Sequence, residues 1–351
     1  MQIGELRQWL AAHGARPAHT TAVLRHWLQA LPEPRTLRPA QHLPRSLRAA
    51  LAGADSPLVS LARLRSAHAA ADGSMRLLLA LRDGQTIESV LLPRAGLCVS
   101  TQAGCAVGCA FCMTGRDGLQ RQLGGAEILA QVGVAAALAR AHGVQTAAND
   151  ARALVKVVFM GMGEPAHNLA VVCEAIELLG TDGAIAHKNL VFSTVGDARV
   201  FAALPRLRVK PALALSLHSA CADKRARLLP RAPRIAPAEL VEHGERYARA
   251  TGYPVQVQWT LLAGVNDGDD EVEGIVRLLA GKYAVLNLIP FNAVAGSGFR
   301  RPPWQRATEL ARTLQRRGIL TKLRRSAGQE VEAGCGQLRA RALAAPLPAA
   351  G

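Results

Sequence analysis

Acidic residues are scarce in this chain. Its 351 residues include 26 aspartates and glutamates against 42 lysines and arginines, for a formal net charge of +16. That imbalance points to a polyanionic partner, nucleic acid before an anionic membrane. Long apolar runs are missing too. None approaches the roughly 20 residues needed to span a bilayer, so no membrane partner is expected. The opening stretch is already polar at Gly4 to Arg7, which argues against a secretory leader. Cysteine is sparse, odd in number and clustered, with seven in all. This usage suits a reducing cytoplasm and excludes a secreted disulfide framework. Half of the residues are hydrophobic, enough for a sizeable core. The length fits one large domain with an appendage, or two domains.

The cysteines that are present concentrate in Cys105-Ala-Val-Gly-Cys109-Ala-Phe-Cys112, a Cys-x3-Cys-x2-Cys run in a loop-like stretch. Thiolates this close together suit a shared soft metal centre, zinc or an iron–sulfur cluster. A structural zinc site closes with four ligands, and the run itself offers three. A four-iron cluster held by Cys105, Cys109 and Cys112 leaves one iron open to the amino and carboxylate groups of S-adenosylmethionine (SAM). The alternative is a zinc knob completed by a distant ligand.

Along the chain, Gln2 to Ala30 predicts two short helices, with Leu6, Trp9 and Leu10, then Val23, Leu24, Trp27 and Leu28, at helical spacing. A Pro/Arg-rich linker, Pro32 to Pro44, and a short helix, Leu47 to Ala52, follow. Met75–Leu81 and Thr86–Leu92 flank Asp83-Gly84 and predict a β-hairpin. Glu88, on its second strand, reads from pattern alone as an exposed strand residue. From Leu97 to Thr101 onward, strands alternate with helices in six units, ending with the helix Pro303–Arg317. Such alternation predicts a parallel sheet with right-handed crossovers. Six units fit an α/β partial (βα)6 barrel, with an open doubly wound sheet as the alternative. The expected domains are a helical module over 1–52, a linker and hairpin extension over 53–96, the barrel over 97–325, and a C-terminal segment over 326–351.

Polar and glycine-rich motifs fall at the C-terminal ends of the predicted strands, the face where such barrels build sites. They are the cysteine run, Gly161-Met162-Gly163-Glu164-Pro165, Ser193-Thr194-Val195-Gly196, Ser216-Leu217-His218 and Pro290-Phe291-Asn292. Gly161 and Gly163 allow close backbone approach. Glu164 can accept from an ammonium, and Ser193, Ser216 and Asn292 offer polar contacts. His218 is either ligand-facing or a core histidine. Near the C-terminus, Gly334-Cys335-Gly336-Gln337 sets a cysteine between glycines, as in a mobile, exposed loop. Cys98 leads into the cluster; Cys173 and Cys221 read as structural. The tail beyond Leu338 is expected to be disordered. Basic runs, among them Lys224, Arg225, Arg227, Arg300, Arg301, Arg306, Arg316, Arg317, Arg324 and Arg325, could rim one face for phosphate contact.

With these motifs in place, the chain resembles the RlmN/Cfr family of radical-SAM RNA adenine methyltransferases, over nearly its whole length. Leu97 to Cys105, the cluster, Met160 to Pro165, Ser193 to Gly196, Leu215 to His218, Gly264 to Asp267, Asn287 to Asn292 and Ala333 to Leu338 carry the likeness. The resemblance implies one [4Fe-4S] cluster on Cys105, Cys109 and Cys112, and two SAM per turnover. It implies SAM contacts from Gly163, Glu164, Ser193, Ser216, Leu217, His218 and Asn292. It further implies that Cys335 carries a methyl group to C2 of an adenine, or to C8 in the resistance variant, and that Cys98 resolves the covalent adduct through a transient disulfide. Glu88 falls where the family has a proton acceptor. The implied partners are ribosomal RNA or transfer RNA, and an electron donor such as flavodoxin or ferredoxin; a cytoplasmic monomer is expected. The chain departs from the family pattern in Val107-Gly108, in Met113, and in the segment Arg324 to Glu330 that leads to Cys335. A zinc-stabilised RNA-binding protein, or a radical-SAM enzyme with another substrate, are the competing readings.

Overall fold

The computed structural model describes residues 1–31, 42–144, 152–294 and 296–341. Most of the predicted Pro32–Pro44 linker and the tail from residue 342 onward lie outside these residues.

Four helices open the chain: α1 (Ile3–Ala12), α2 (Pro17–Gln29), α3 (Arg45–Ala52) and the single turn α4 (Pro57–Ser60). Pro17 starts α2 at the position where a missing N–H costs nothing. The apolar stripes predicted from spacing, Leu6 and Leu10 on α1 and Leu24 and Leu28 on α2, are fully buried. Three antiparallel strands follow, β1 (Ala62–Ala69), β2 (Met75–Leu81) and β3 (Thr86–Leu92). The Asp83-Gly84 turn joins the last two as the predicted hairpin, and β1 is an additional strand that the hairpin motif did not announce.

The remaining elements supply the parallel part of the sheet, the helices packed on it and a separate ribbon. They are β4 (Gly96–Cys98), β5 (Gln102–Gly104), β6 (Leu119–Gln122), α5 (Gly125–Ala141), β7 (Lys156–Phe159), α6 (Leu169–Thr181), β8 (Leu190–Thr194), α7 (Ala198–Ala203), β9 (Ala212–Ser216), α8 (Ala222–Leu228), α9 (Pro237–Thr251), β10 (Val255–Leu261), α10 (Asp269–Leu279), β11 (Ala284–Pro290), α11 (Trp304–Arg316) and β12 (Thr321–Leu323). One ten-stranded sheet runs in the order β1-β2-β3-β4-β7-β8-β9-β10-β11-β12. Its strands are antiparallel as far as β4 and parallel from β4 to β12. The sequence is thus α/β with the partial barrel foreseen, extended at one edge by three antiparallel strands and at the other by β12.

The strand predicted over Leu97 to Thr101 is a correction. It stops at Cys98, and Gln102–Gly104 instead pairs with β6 in a separate two-stranded ribbon. The connection within that ribbon is the cysteine loop.

A continuous apolar core runs from Ile3 to Leu338. Helix α5 is buried on nearly every side, between the sheet and the N-terminal helices. Gly133 permits that approach, because a Cβ there would sit 2.7 Å from the Trp27 indole nitrogen. The indole donates to the Leu58 carbonyl at 3.0 Å. Buried Gln29 ends α2 by bonding the Leu154 and Gly183 carbonyls, at 3.1 and 2.7 Å. Among the described residues no helix is long and apolar enough to cross a membrane.

Candidate active site

The strand ends of the parallel sheet converge on one cavity of about 160 Å³. Its wall includes Cys105, Cys109 and Cys112 from the ribbon loop, Gly163 and Glu164 after β7, Ser193 on β8, and Ser216 and His218 at the end of β9. Cys335 and Gly336 come from the other end of the chain. Residues more than 220 positions apart in sequence therefore meet at one space.

The cysteine loop owes its shape to local turns and to an apolar back. Cys112 N–H donates to the Cys109 carbonyl at 3.0 Å, and Ala110 N–H to the Leu228 carbonyl at 2.9 Å. Cys105, Val107 and Phe111 pack in a small apolar cluster with Val195, Leu228, Leu262 and Phe291. Burial pushes the Cys105 thiol up to about 11 and Cys109 well above its ordinary value, with the neighbouring cysteines adding to both. Thiols this reluctant to ionise alone favour a state in which a cation shares their charge. Three thiolates on one cavity wall suit a cluster, which takes one thiolate per iron, better than a structural zinc site, which closes with four ligands.

The Gly161-to-Glu164 turn is fixed from below. Gln131 on α5 bonds Ser100 N–H and carbonyl, both at 2.8 Å, and accepts from the Ser89 hydroxyl at 2.8 Å. Ser100 Oγ in turn accepts from Met162 N–H at 2.8 Å. Gly163 has φ +101°, and a Cβ there would lie 2.6 Å from that of Gln102. Glu164 is buried. Its carboxylate accepts from Ala166 N–H at 3.1 Å and Val195 N–H at 3.0 Å. Burial still wins over these bonds and pushes its pKa up to about 7. A ligand ammonium would relieve that cost.

His218 adopts a left-handed backbone, φ 62°. Its Nδ1 accepts from Thr260 N–H at 3.0 Å, which assigns the ring proton to Nε2. Burial, with Arg225 nearby, lowers its pKa to about 3. The ring is neutral and meets Phe111 in a T-shaped contact, 4.9 Å between centroids. Asn266 holds this corner. Its Nδ2 donates to the His218 and Thr260 carbonyls, at 2.7 and 2.8 Å, and its Oδ1 accepts from Leu262 N–H at 2.8 Å.

Several predicted residues sit elsewhere. Leu217 is fully buried behind the cavity. Asn292 does not line it; its amide donates to Ser326 Oγ at 2.8 Å and to the Cys335 carbonyl at 3.0 Å. Glu88 is not an exposed strand residue. It is fully buried and paired with Arg76. Arg225 leaves the proposed basic rim: it is buried and donates to the Val195 and Ser216 carbonyls. Lys224, Arg306 and Arg317 are held by Asp270, Asp269 and Glu273. Cys98 is buried in β4, and its thiol is raised by burial and further by nearby Cys335. Cys335 is exposed, as its flanking glycines suggested.

Arg76 was missed. It lies inside the apolar run of β2, but the hairpin register pairs Leu78 with Glu88 and Arg76 with Val90. That register makes Arg76 a diagonal neighbour of Glu88.

No family model matches the chain. A probable RNA methyltransferase of Methylibium petroleiphilum is 68% identical over 343 residues, 98% of this chain and 94% of that one. One of Aromatoleum aromaticum is 64% identical over 98% of this chain and 94% of its own length. A crystal structure of a radical SAM methyltransferase from Sphaerobacter thermophilus superposes with a TM-score of 0.83 at 35% identity, covering 97% of this chain and 98% of that one. The chain belongs to this methyltransferase family. It has the fold of a radical SAM methyltransferase, and the cysteine loop opens onto its strand-end cavity.

Proposed function

We propose that this methyltransferase acts on RNA, placing a methyl group on an adenine ring carbon, C2 ahead of C8, in ribosomal or transfer RNA. The observation that carries the reading is that Cys335 and the three loop cysteines share one cavity wall. A [4Fe-4S] cluster and SAM, when bound, supply the methyl group and the hydrogen-abstracting radical.

In this reading Cys105, Cys109 and Cys112 hold the cluster. Glu164 accepts from the SAM ammonium, and Gly163 lets backbone approach the ligand. Ser193, Ser216 and neutral His218 offer polar contacts around it. Cys335 carries the methyl carbon. A carrier is needed because adenine C2 and C8 are electrophilic amidine carbons and poor nucleophiles. Cys98 then attacks Cys335, closing a disulfide and freeing the methylated base. Its thiol is raised by burial, so it needs a base or an opening of the site before it reacts. Glu88 is the proton acceptor of this scheme, a role that requires its carboxylate to be free. The target base must leave its stack to reach Cys335. The surplus of basic residues supports an RNA partner whose binding weakens with salt.

The test uses anaerobically reconstituted protein with SAM, a reductant and RNA lacking the modification. Nucleosides are then separated by mass spectrometry. We expect 2-methyladenosine from the native chain and none from Cys335→Ala. Only 8-methyladenosine would move the target carbon. Activity retained in Cys335→Ala would refute the carrier role.

A further inference from the structure

The segment that carries Cys335 is fastened to the antiparallel strands at both ends. On the N-terminal side, Gly328 N–H donates to Asp72 Oδ2 at 2.9 Å, and Glu330 accepts from Ala71 N–H. Both partners lie in the β1–β2 turn. On the C-terminal side, Glu88 Oε2 accepts from Arg339 N–H at 3.1 Å and Oε1 from Arg341 N–H at 3.2 Å. Arg76 Nη2 bridges Glu88 Oε1 and the Arg341 carbonyl, the latter at 2.8 Å. Between the two ends, Met113 N–H donates to the Gly336 carbonyl at 2.7 Å and Thr114 Oγ1 to that of Leu338 at 2.8 Å. Part of the tail expected to be disordered is therefore docked, Arg339 to Arg341.

The docked strap is a partition. Cys335 and Gly336 line the strand-end cavity, and Arg339 and Ala340 line a second cavity of about 210 Å³. Thr114 touches both.

The pair that holds the strap is costly. Arg76 and Glu88 are 1% and 0% exposed, and Arg76 Nε and Nη1 are buried without a hydrogen-bond partner among the described residues. Buried ion pairs of this kind are often no more stabilising than apolar residues of the same size. Stability alone does not account for the pair. Its outward bonds go to the strap.

We propose that Arg76 and Glu88 are positioning residues: a buried dock on the antiparallel extension that holds the strap and so sets Cys335 over the cavity. The inference rests on the reading above only for the role of Cys335. It has a consequence for Glu88. While the strap is docked, both carboxylate oxygens are engaged by Arg76 and by strap amides. Undocking of Arg339 and Arg341 would free two of the acceptor positions on that carboxylate.

The test is amide hydrogen exchange by mass spectrometry on the full chain, with no cofactor or RNA added. It stays informative even if no methylated adenine is ever found. In Arg76→Leu/Glu88→Leu, loss of charge-assisted bonds should speed exchange over residues 335–341 by about ten- to a hundredfold. Exchange in β7 to β11 and the melting temperature should stay close to native. A role confined to core stability would move all of these together. Arg341→Pro removes one strap donor without touching the core, and Arg341→Ala keeps that N–H as the control. Native-like exchange of the strap in the folded double variant would overturn the proposal. Should the double variant not fold, Arg341→Pro decides: faster strap exchange than Arg341→Ala supports the dock, and equal exchange overturns it.

Discussion

Replacing Asn266 by alanine should damage the His218 corner of the cavity more than its small size suggests. The Asn266 side chain is 1% exposed and makes three hydrogen bonds, all to backbone. Alanine would orphan the His218 and Thr260 carbonyls and the Leu262 N–H. Each unsatisfied buried group costs about 1–3 kcal/mol. Partial rescue by an entering water keeps the total near the low end, about 3–5 kcal/mol. For a chain larger than about 200 residues, about 2 °C of melting temperature accompanies each kcal/mol, so a drop of about 6–10 °C is expected. Aspartate tests the assignment more sharply. It keeps the shape and the acceptor to Leu262, yet turns a second oxygen toward two carbonyls. Asn266→Asp should therefore be as poor as alanine at pH 8 and recover in part at pH 5, where a protonated carboxyl can donate to one of the two carbonyls. The assay is urea unfolding at the two pH values, with SAM affinity by calorimetry. An Asn266→Ala variant that loses less than about 1 kcal/mol and binds SAM normally would refute the reasoning.

Other outcomes follow from the same geometry. Glu164 has its folded pKa raised to about 7 by burial, so the carboxylate costs stability above pH 7 and the cost fades as pH falls toward the unfolded value near 4.5. Glu164→Gln should gain stability over the native chain at pH 8, by about 2–3 kcal/mol, and lose that gain by pH 5; denaturation curves at both pH values check it, and a pH-independent difference would count against it. Gly163→Ala, forced to keep φ +101° with a Cβ against Gln102, should lose about 2–3 kcal/mol and most SAM affinity. Single alanines at Cys105, Cys109 and Cys112 should each abolish iron and sulfide incorporation and the visible absorption. Cys335→Ala should keep both while failing to form methyladenosine.

The sequence was most readable where one residue type repeats at a fixed spacing. The parallel units followed from alternation, and four of the five strand-end motifs share a wall because parallel strands all point one way. Single residues were harder. Glu88 read as an exposed strand residue, yet it is buried, paired with Arg76 and accepting from the C-terminal strap. Arg225 resembled its basic neighbours, yet its guanidinium closes the Val195 and Ser216 carbonyl ends rather than facing solvent. Asn292 carried a strand-end signature and instead grips the Cys335 loop. In each case the deciding partners are nine or more residues away in sequence, where no periodicity reaches.

The shared core of the N-terminal helices and the sheet makes the molecule a caliper. Trp27 against Gly133, and Gln29 bonded to the carbonyls of Leu154 and Gly183, pin α2 to the rest of the core. Any surface that grips a polymer through these helices is held at a set distance from the cavity. Were the proposed RNA gripped through these helices, the nucleotide reaching Cys335 would be set partly by its distance from the grip, so that target choice would be a measurement of length as well as a reading of chemistry.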